Sequence, residues 1–541
     1  LQTGGSFNLE QNFQTAGTLN INAGSAALDG NITTGGNLNV DLSGGTGTLT
    51  GSTILTSSGT LNLDNAVFQV DGFQFVVGAA GQLTVGSGTT INDAAGGIID
   101  LAGNENGNAT GDFHGVHVLG QINSAGGSIE IDGEGGDSQD NTGVLIEGNI
   151  TGTGNATVAI TGKGDQAGGS AASGLAGLAI TSGVTVSTQT GSLTLAGTGG
   201  QGNGAGGGYF GILNNGAQVS VGSGQLNLTG TGGQSGSGDG NHGILMTNGG
   251  LFQSNGGTID SNFSGLSRAG NGASDGFRIE DGNLVDLSGT GFLYIGDETQ
   301  APVNGLGFNS TNSTNQFTGW DEFFLAFLAG GDANIAGVVE ANQFGLSGPG
   351  ATTATNALND LNRIAFDGSF DAFTGSRGGV INLVDKDDLI VGDTFGFGLH
   401  QSGDVTITAG GDITISEPIN MGTFSTTTLN AGAASIIFNN EVIGNNGADV
   451  IFNAGSYELN ASNTIITNGS VTMNGGGIAN VNAANFPGIF GRTVDLSPQF
   501  VVSNNATRFD IEGEVSVNFN SGSSITTDDT DVRVRANRFG F

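Results

Sequence analysis

Cysteine is absent from this chain of 541 residues, and proline occurs only 5 times. Without cysteine there is no disulfide framework and no thiol chemistry. Basic residues are also scarce, with 11 Lys and Arg against 48 Asp and Glu, and Lys163 is the only one of them before residue 268. Binding to nucleic acid or to an anionic membrane surface requires clustered lysines and arginines, so this balance disfavours both kinds of partner.

Long apolar runs are missing as well. No stretch reaches the length of a transmembrane helix, so we expect no membrane insertion. The chain starts at Leu1 with neither an initiator methionine nor a leader segment. This start predicts a processed or excerpted part of a longer exported polypeptide. The net charge of −37 predicts a surface that resists aggregation and attracts divalent cations.

Glycine dominates what is present, with 105 residues, while 36% of the chain is apolar. High glycine content is typical of disordered chains, but those chains are poor in apolar residues. Here the apolar residues alternate with polar ones in short runs, such as 17–21 (GTLNI) and 192–195 (SLTL). A period of two indicates strands with one buried face, and the frequent glycines exclude long helices. The composition therefore predicts an ordered all-β protein.

Three consecutive segments of 33 residues, 191–223, 224–256 and 257–289, repeat one pattern. Four columns recur at this interval, namely Leu193/Leu226/Ile259, Ile180/Leu213/Met246/Ile279, Gly183/Gly216/Gly249/Gly282 and Val186/Val219/Phe252/Val285. Such recurrence indicates one unit that stacks on copies of itself. With three short strands per unit and no helix between them, the prediction is a parallel β-helix, a solenoid whose like strands pair from coil to coil.

The interval varies along the chain and divides it into four regions of one continuous solenoid. Residues 1–96 are predicted as short coils, because Leu19, Leu38, Leu61 and Leu83 lie 19, 23 and 22 residues apart. Residues 97–289 are longer coils, residues 290–400 an irregular insertion or transition, and residues 401–541 short coils again. In the irregular region, residues 352–366 have the spacing of a short helix. In the last region, Phe424, Phe438 and Phe452 recur every 14 residues and predict an aromatic ladder.

The long coils differ from the short ones by glycine-rich loops at one equivalent place. The six loops are 103–115, 133–143, 162–174, 197–211, 230–243 and 265–276. Stacked in register, they should form a ridge along one side of the solenoid. Binding residues are often carried by loops on a rigid scaffold. Solvated insertions without a binding role are an equal alternative.

The residues of this ridge with chemical potential are aromatic, acidic or histidine side chains. As a ligand or assembly surface we select Phe113, His114, Asp137, Asp140, Tyr209, Phe210, Asp239, His242 and Asp275. The aromatic members of this set are expected to be exposed.

Two groups of neighbouring residues could also be catalytic, Asp112 with His114 and His117, and Asp239 with His242. No cation lies near them in sequence to stabilise a developing negative charge. We therefore predict no enzyme, no catalytic residue and no bound cofactor. A polysaccharide-binding or polysaccharide-degrading β-helix remains the alternative. The segments 385–388 (DKDD) and 528–531 (DDTD) leave Ca²⁺ open, because carboxylate oxygens suit that ion, although aspartate-rich turns commonly hold none.

The run 402–416 (SGDVTITAGGDITIS), together with 36–40 and 59–63, resembles the repeats of filamentous haemagglutinin-like exoproteins and of autotransporter passenger regions. The GTGGQ elements at 197–201 and 230–234 are similar to the loop-bearing coils of the same bacterial surface proteins. The resemblance covers most of the chain except about 290–400, and its motifs are of low complexity. The Asn-Pro-Asn signatures of a two-partner secretion domain are missing, which leaves the export route open.

The resemblance implies export, a right-handed parallel β-helix and a role in adhesion or surface assembly. We therefore expect an extracellular structural or adhesive protein that forms a rod or fibre at the bacterial cell surface. An uncovered end coil presents unpaired strand edges, so self-association should run end to end through the terminal coils. A carbohydrate or another cell-surface ligand is the expected further partner.

Overall fold

The computed structural model describes a set of residue ranges, and every structural statement below refers to them. They are 5–137, 141–164, 176–201, 208–233, 240–255, 261–266, 274–287, 292–297, 308–327, 332–347, 350–366, 379–392, 398–401, 403–444, 447–460, 465–482, 487–503, 507–527 and 530–536. All regular secondary structure in these ranges is strand, and none of it is helix. No helix that could cross a membrane is therefore found there. The all-β prediction is confirmed.

The chain forms two compact units, Leu1–Gly319 and Trp320–Phe541. The strands that begin in the first unit are β1 (Ser6–Leu9), β2 (Phe13–Thr15), β3 (Leu19–Asn22), β4 (Ser25–Leu28), β5 (Ile32–Thr34), β6 (Leu38–Leu49), β7 (Thr53–Ser57), β8 (Leu61–Gln69), β9 (Gln74–Ala79), β10 (Leu83–Val85), β11 (Thr90–Asp93), β12 (Ile98–Gly103), β13 (Val116–Val118), β14 (Gln121–Ala125), β15 (Ser128–Glu134), β16 (Val144–Ile146), β17 (Ile150–Thr153), β18 (Thr157–Lys163), β19 (Leu178–Ile180), β20 (Thr185–Thr188), β21 (Leu193–Thr198), β22 (Ile212–Asn215), β23 (Gln218–Val221), β24 (Leu226–Thr231), β25 (Ile244–Thr247), β26 (Leu251–Ser254), β27 (Ser261–Leu266), β28 (Phe277–Ile279), β29 (Leu284–Leu287), β30 (Phe292–Asp297), β31 (Phe308–Ser310) and β32 (Gln316–Phe327).

The strands that begin in the second unit are β33 (Ala333–Ile335), β34 (Val338–Ser347), β35 (Thr352–Ala354), β36 (Asp360–Phe366), β37 (Ile381–Asp385), β38 (Leu389–Val391), β39 (Leu399–Gln401), β40 (Val405–Ala409), β41 (Ile413–Ile415), β42 (Ile419–Met421), β43 (Thr426–Asn430), β44 (Ser435–Phe438), β45 (Val442–Gly444), β46 (Asp449–Asn453), β47 (Ser456–Leu459), β48 (Ile465–Thr467), β49 (Ser470–Asn474), β50 (Ile478–Val481), β51 (Gly488–Leu496), β52 (Gln499–Val502), β53 (Arg508–Phe519), β54 (Ser524–Thr527) and β55 (Asp531–Arg535).

The strands of the first unit pair in parallel, and through most of it each strand pairs with the third strand further along the chain. This pairing places like residues in register. One column of buried side chains contains Leu19, Leu38, Leu61, Leu83, Val116, Val144, Leu178, Ile212, Ile244, Phe277 and Phe308. The intervals between the four leucines of the short coils thus correspond to true neighbours. Burial of such a column from water is the main source of stability in the unit.

Two of the columns predicted from the 33-residue repeat are confirmed in full. Val186, Val219, Phe252 and Val285 are successive partners. The glycines at 183, 216, 249 and 282 have φ angles of 80°, 75°, 76° and 59°. Only glycine adopts this left-handed conformation without strain, so the recurring turn requires it. Leu193 also pairs with Leu226 as predicted, whereas Ile259 lies outside the described residues.

A third predicted column was wrong at one position. Ile180 pairs with Asn214, which in turn pairs with Met246, while Leu213 lies one residue out of register. Because side chains alternate across a strand, this shift turns Asn214 inward and Leu213 outward. Asn214 is fully buried, and its Oδ1 accepts a hydrogen bond from the backbone N–H of Ala217 at 2.9 Å. That bond makes the buried amide tolerable in an apolar column.

The helix predicted for residues 352–366 was also wrong, since the segment forms two strands, β35 and β36. Leu361 and Ile364 are buried as strand residues paired with Ala341 and Phe344. Between the strands, the Asn356 side chain accepts a hydrogen bond from the backbone N–H of Leu358 at 3.0 Å. Asparagine side chains that bond nearby backbone in this way favour a turn over a helix.

The predicted aromatic ladder was wrong, because Phe438 pairs with Leu459 whereas Phe452 pairs with Leu429 and Met473, so the two rings belong to different columns. The rings of Phe438 and Phe452 meet edge to face with centroids 5.0 Å apart. The third residue, Phe424, lies on a turn with a φ of 59° and is 81% exposed. In-register ladders are formed outside the core by asparagines, for example Asn20, Asn39 and Asn62, whose side chains bond in sequence at 2.6 and 2.7 Å.

Candidate functional site at the loop roots

The glycine-rich loops of the first unit all lie between corresponding strands. Each leaves one of the strands β12, β15, β18, β21, β24 and β27, and returns as the next strand along the chain. The departure points are glycines in register, at positions 103, 133, 162, 197, 230 and 265. The predicted equivalence of the six loops is therefore confirmed. We call the described residues among the three that precede each returning strand the loop root, namely 113–115, 141–143, 176–177, 209–211, 241–243 and 274–276.

The first five loops each close on themselves through two glycines. A Cβ atom at Gly197 would lie 2.0 Å from the carbonyl oxygen of Gly211, and one at Gly162 would lie 2.0 Å from that of Gly177. The departing and returning backbones are thus in direct contact, and no side chain fits between them. The third loop returns at Gly177, whereas the sequence pattern suggested residue 174, which lies outside the described residues. We call these glycine pairs the loop neck.

The first two loop roots are joined by hydrogen bonds. His114 is half-buried, and its Nδ1 accepts a hydrogen bond from the backbone N–H of Thr142 at 3.2 Å. The backbone N–H of Gly136 donates to the carbonyl oxygen of Phe113 at 3.0 Å. Asp137 accepts the backbone N–H of Gly111 at 2.7 Å. Three of the selected residues therefore connect one loop to the next.

His114 has a second histidine beside it. The rings of His114 and His117 meet edge to face with centroids 5.4 Å apart. His117 Nε2 lies 2.7 Å from Glu147 Oε2, a carboxylate of the following coil. Asp112, which the sequence placed next to His114, is exposed. The carboxylate in contact with His117 is thus Glu147, which sequence proximity did not identify.

Tyr209 was expected on an exposed ridge, and this was wrong, because its side chain is fully buried. Its backbone N–H donates to Asn241 Oδ1 at 3.2 Å, and its carbonyl oxygen accepts the N–H of Gly233 at 2.7 Å. Burial of this apolar ring removes it from water, which favours the folded chain. Phe210 is half-buried and stacks on His242 with centroids 6.0 Å apart and ring planes 4° from parallel.

His242 repeats the bonding of His114 further along the unit. Its Nδ1 accepts the backbone N–H of Asp275 at 2.9 Å. The Asp275 carboxylate is 1% exposed and accepts Arg278 Nη1 at 3.2 Å and Asn309 Nδ2 at 2.9 Å. Its Oδ2 also lies 3.8 Å from His242 Nδ1. A buried carboxylate is stable only with such partners, and here the cation and the amide supply them.

Burial lowers the pKa of both histidines. For His242 burial is the main cause, Arg278 adds to it, and the Asp275 carboxylate opposes it, which together bring the pKa to about 4. For His114 burial again comes first and His117 adds to it, while Glu147 and Asp112 oppose the lowering of its pKa. Both rings are therefore neutral at pH 7, and a neutral imidazole has a nitrogen lone pair that can accept a hydrogen bond.

A cleft of about 260 Å³ lies beside the loop necks and was not expected from the sequence. It is lined by Glu105, Asp132, Gly133, Glu134, Thr161 and Lys163. Asp100 lies on the neighbouring strand, and its pKa is raised by burial and by the carboxylates of Glu130, Asp132 and Glu105. The strand register brings these carboxylates together, because Asp100 pairs with Glu130 and Ala102 with Asp132.

The remaining predicted positions are not brought into one site. Asp140 and Asp239 lie outside the described residues, and so does Asp528 of the second calcium candidate. In the first candidate, Asp385 accepts the backbone N–H of Leu361 at 2.7 Å and Asp388 accepts that of Asp412 at 2.7 Å. Among the residues that the structure describes, no three His, Asp or Glu side chains are grouped as metal ligands would be.

The predicted site thus lies on successive loop roots of the first unit, which backbone hydrogen bonds join throughout. Side-chain contacts add two groups, 113–115 with 141–143, and 209–211 with 241–243 and 274–276. Their chemistry is that of two neutral histidines bonded to the backbone of the next coil, one buried and two half-buried aromatic rings, and a carboxylate compensated by Arg278 and Asn309. Nothing in this arrangement identifies a substrate by itself. The chain matches no protein-family model, no curated protein and no solved structure, so any function has to be argued from its own residues.

Proposed function

We propose that each unit is a right-handed parallel β-helix in which three strands make up one coil. Support comes from the pairing of β16 with β19, β19 with β22 and β22 with β25, which returns the chain to the same face after every third strand. A crossover between parallel strands is almost always right-handed, which gives the hand of the coil. Loops at every third connection then lie along one side.

We further propose that the protein is an extracellular structural or adhesive protein of the bacterial cell surface, which assembles end to end into a rod or fibre. The sides of such coils need no partner, since their backbone groups are bonded to the neighbouring coils. The net charge of −37 keeps the sides of two molecules apart. The proposal includes no enzymatic activity, no bound nucleic acid and no insertion into a membrane.

The observation that carries the assembly is the exposure of core positions in β53 and β55. Phe519 is 41% exposed and Val534 is 45% exposed. Their partners in the preceding coil, Leu496 and Ile511, are fully buried. The two exposed residues therefore continue apolar columns that no described strand covers. Exposed apolar side chains on an unpaired strand edge favour the addition of another strand.

The surface that covers them is proposed to be the first coil of a second copy. In that coil Phe13 is 39% exposed and Glu10 is exposed. The strand β55 carries Arg533 and Arg535, whereas the chain has no lysine or arginine before Lys163. Opposite charges at the two surfaces would orient the copies head to tail.

Assembly is tested by a double substitution, Phe519→Lys with Val534→Lys. Charges on these columns cannot be buried without a partner, so self-association should weaken at least about 10-fold, which corresponds to roughly 1.4 kcal/mol. Sedimentation velocity and negative-stain electron microscopy of the full chain measure it. The matched control is Val501→Lys, because Val501 is 40% exposed but points outward from β52. A chain that stays monomeric at high concentration, or a control that dissociates equally, contradicts the proposal.

A polysaccharide-binding or polysaccharide-degrading protein is the second candidate, favoured by the 260 Å³ cleft. Its carboxylates Glu105, Asp132 and Glu134, with the ammonium group of Lys163, provide acceptors and a donor for sugar hydroxyls. The test is binding to an array of acidic and neutral oligosaccharides, with release of reducing ends as the enzymatic readout. Binding that Asp132→Asn abolishes and Asp286→Asn leaves unchanged would favour this candidate, because Asp286 lies on β29, away from the cleft.

A further inference from the structure

His114 and His242 occupy the same position in two different loop roots. Each lies just before the glycine that precedes a returning strand, β13 for His114 and β25 for His242. In both cases Nδ1 accepts the backbone N–H of the root residue in the next coil, Thr142 and Asp275 respectively. The carbonyl oxygens of these two residues accept the N–H of Gly115 and of Gly243. Each histidine thus completes the backbone bonding of the following loop root.

We propose that His114 and His242 are acid-sensitive clamps, which hold successive loop roots together when neutral and release them when protonated. An imidazolium has N–H groups on both ring nitrogens and no lone pair, so its Nδ1 repels a backbone N–H donor. The proposal assigns a regulatory device to the loop ridge. Any effect of the clamp on ligand binding or assembly rests on the proposed function. The hydrogen bonds of the clamp and their response to acid do not depend on it.

The charged groups that face His242 favour release of the clamp when the ring is protonated. The Asp275 carboxylate lies 3.8 Å from Nδ1 and would attract the new N–H of the imidazolium. To reach it, the ring must exchange the backbone N–H of Asp275 for the side chain of the same residue. That carboxylate already bonds Arg278, and Arg278 also bonds Glu280 through Nε at 2.9 Å. A second positive charge beside the Asp275 carboxylate therefore disturbs its ion pair with Arg278 as well as the hydrogen bond from the Asp275 backbone to His242.

The groups that face His114 are different. They are His117, Glu147 and Asp112, and no acidic side chain is carried by Thr142. Protonation of His114 would therefore break the bond to the Thr142 backbone without an alternative partner on that residue. The neighbouring His117 also opposes a positive charge on His114 and lowers its pKa. We expect release at this root only in acid, as at the other.

Elsewhere the chain makes the same backbone bond with asparagine, which does not titrate. Asn149 Oδ1 accepts the N–H of Thr185 at 2.9 Å, and Asn241 Oδ1 accepts that of Tyr209 at 3.2 Å. The Oδ1 of asparagine and the Nδ1 of histidine are both attached to Cγ, so His→Asn retains an acceptor at the same place. His→Phe retains a ring but removes the acceptor. These variants separate the titration from the packing.

The experiment follows backbone amide hydrogen exchange in the full chain between pH 7 and pH 4, corrected for the intrinsic rate at each pH. Protection of the Asp275 amide should fall at least about 10-fold as His242 is protonated, and that of Thr142 should fall with His114. Protection of the Thr185 amide, bonded to Asn149, should stay constant. In His242→Asn the Asp275 amide should stay protected at pH 4, and in His242→Phe it should be unprotected already at pH 7.

Two results would overturn the clamp. One is an Asp275 amide that stays protected at pH 4 in the unmodified chain. The other is an equal loss of protection in His242→Asn, which would assign the loss to general acid unfolding. The measurement uses the isolated chain at low concentration, without ligand. Failure of end-to-end assembly or of ligand binding therefore leaves this result unaffected, and the two proposals fail separately.

Discussion

Gly197→Ala is expected to lower the free energy of unfolding of the first unit by about 3 kcal/mol or more, the range of severe overpacking. The new methyl group would lie 2.0 Å from the carbonyl oxygen and 2.6 Å from the carbonyl carbon of Gly211. Both are backbone atoms, and Gly211 precedes β22, whose strand pairing fixes its position. The loop neck would have to open, which breaks pairing on at least one side.

The control for this prediction is Gly78→Ala in β9. A Cβ atom at Gly78 meets only Thr56 Cγ2, at an ordinary distance of 3.8 Å. Alanine should therefore be neutral there or raise stability by roughly 0.5 kcal/mol, because it restricts the unfolded chain. Urea unfolding followed by circular dichroism, with hydrogen exchange to locate the opened coils, measures both variants. Equal stabilities for the two would show that the loop necks are loose and would contradict the close backbone contact.

The apolar columns could be read from the sequence because their spacing is the length of a coil. Leu19, Leu38 and Leu61 are neighbours at unequal intervals, yet each begins the same alternating run. Local pattern and long-range pairing agree at these positions, which makes them predictable. At Leu213 the two disagree. A one-residue shift within a single coil exchanges the inner and outer faces, and an average repeat length does not contain that information.

The candidate site was predictable in its position and less so in its contacts. His242 and Asp275 were both selected, and they lie one 33-residue repeat apart, so their proximity follows from the repeat itself. Arg278 pairs with Leu245 for the same reason, but a cation in an outward-facing column leaves no periodic apolar signal. Tyr209 was misplaced because loops are usually solvated. Its side chain is nevertheless fully buried, and sequence pattern does not describe how a loop residue packs.

In the second unit, Asp385→Asn is expected to raise stability at neutral pH and to remove a pH dependence. Asp385 is 2% exposed. Burial raises its pKa to about 7, and the negative charge of Asp387 acts in the same direction. The backbone N–H groups of Leu361 and Asp387 oppose this rise in pKa. A carboxyl group with this pKa is protonated in the folded chain over a range where the unfolded chain has already lost the proton, above a pKa of 3.8.

The sign follows from the number of bound protons. Between about pH 4 and pH 7 the folded chain binds one proton more than the unfolded chain, so stability falls as the pH rises through this range. Over the whole range the loss is on the order of 4 kcal/mol, at about 1.4 kcal/mol for each pH unit. Asparagine is neutral throughout, and its Oδ1 can still accept the N–H of Leu361. Its Nδ2 cannot accept the N–H of Asp387, which Asp385 Oδ2 accepts at 3.2 Å. Relative to the unmodified chain, the variant should therefore gain a few kcal/mol of stability as the pH rises from 4 to above 7.

The matched control is Asp388→Asn, because Asp388 is exposed and also accepts one backbone N–H, that of Asp412 at 2.7 Å. Its substitution changes the net charge by the same amount, so any effect of overall charge appears in both variants. Urea unfolding at intervals from pH 4.5 to pH 8 gives the two slopes. A slope that persists in Asp385→Asn, or disappears in Asp388→Asn, would place the titrating group elsewhere. Loss of the slope only in Asp385→Asn identifies a buried acid that the fold holds protonated up to about pH 7.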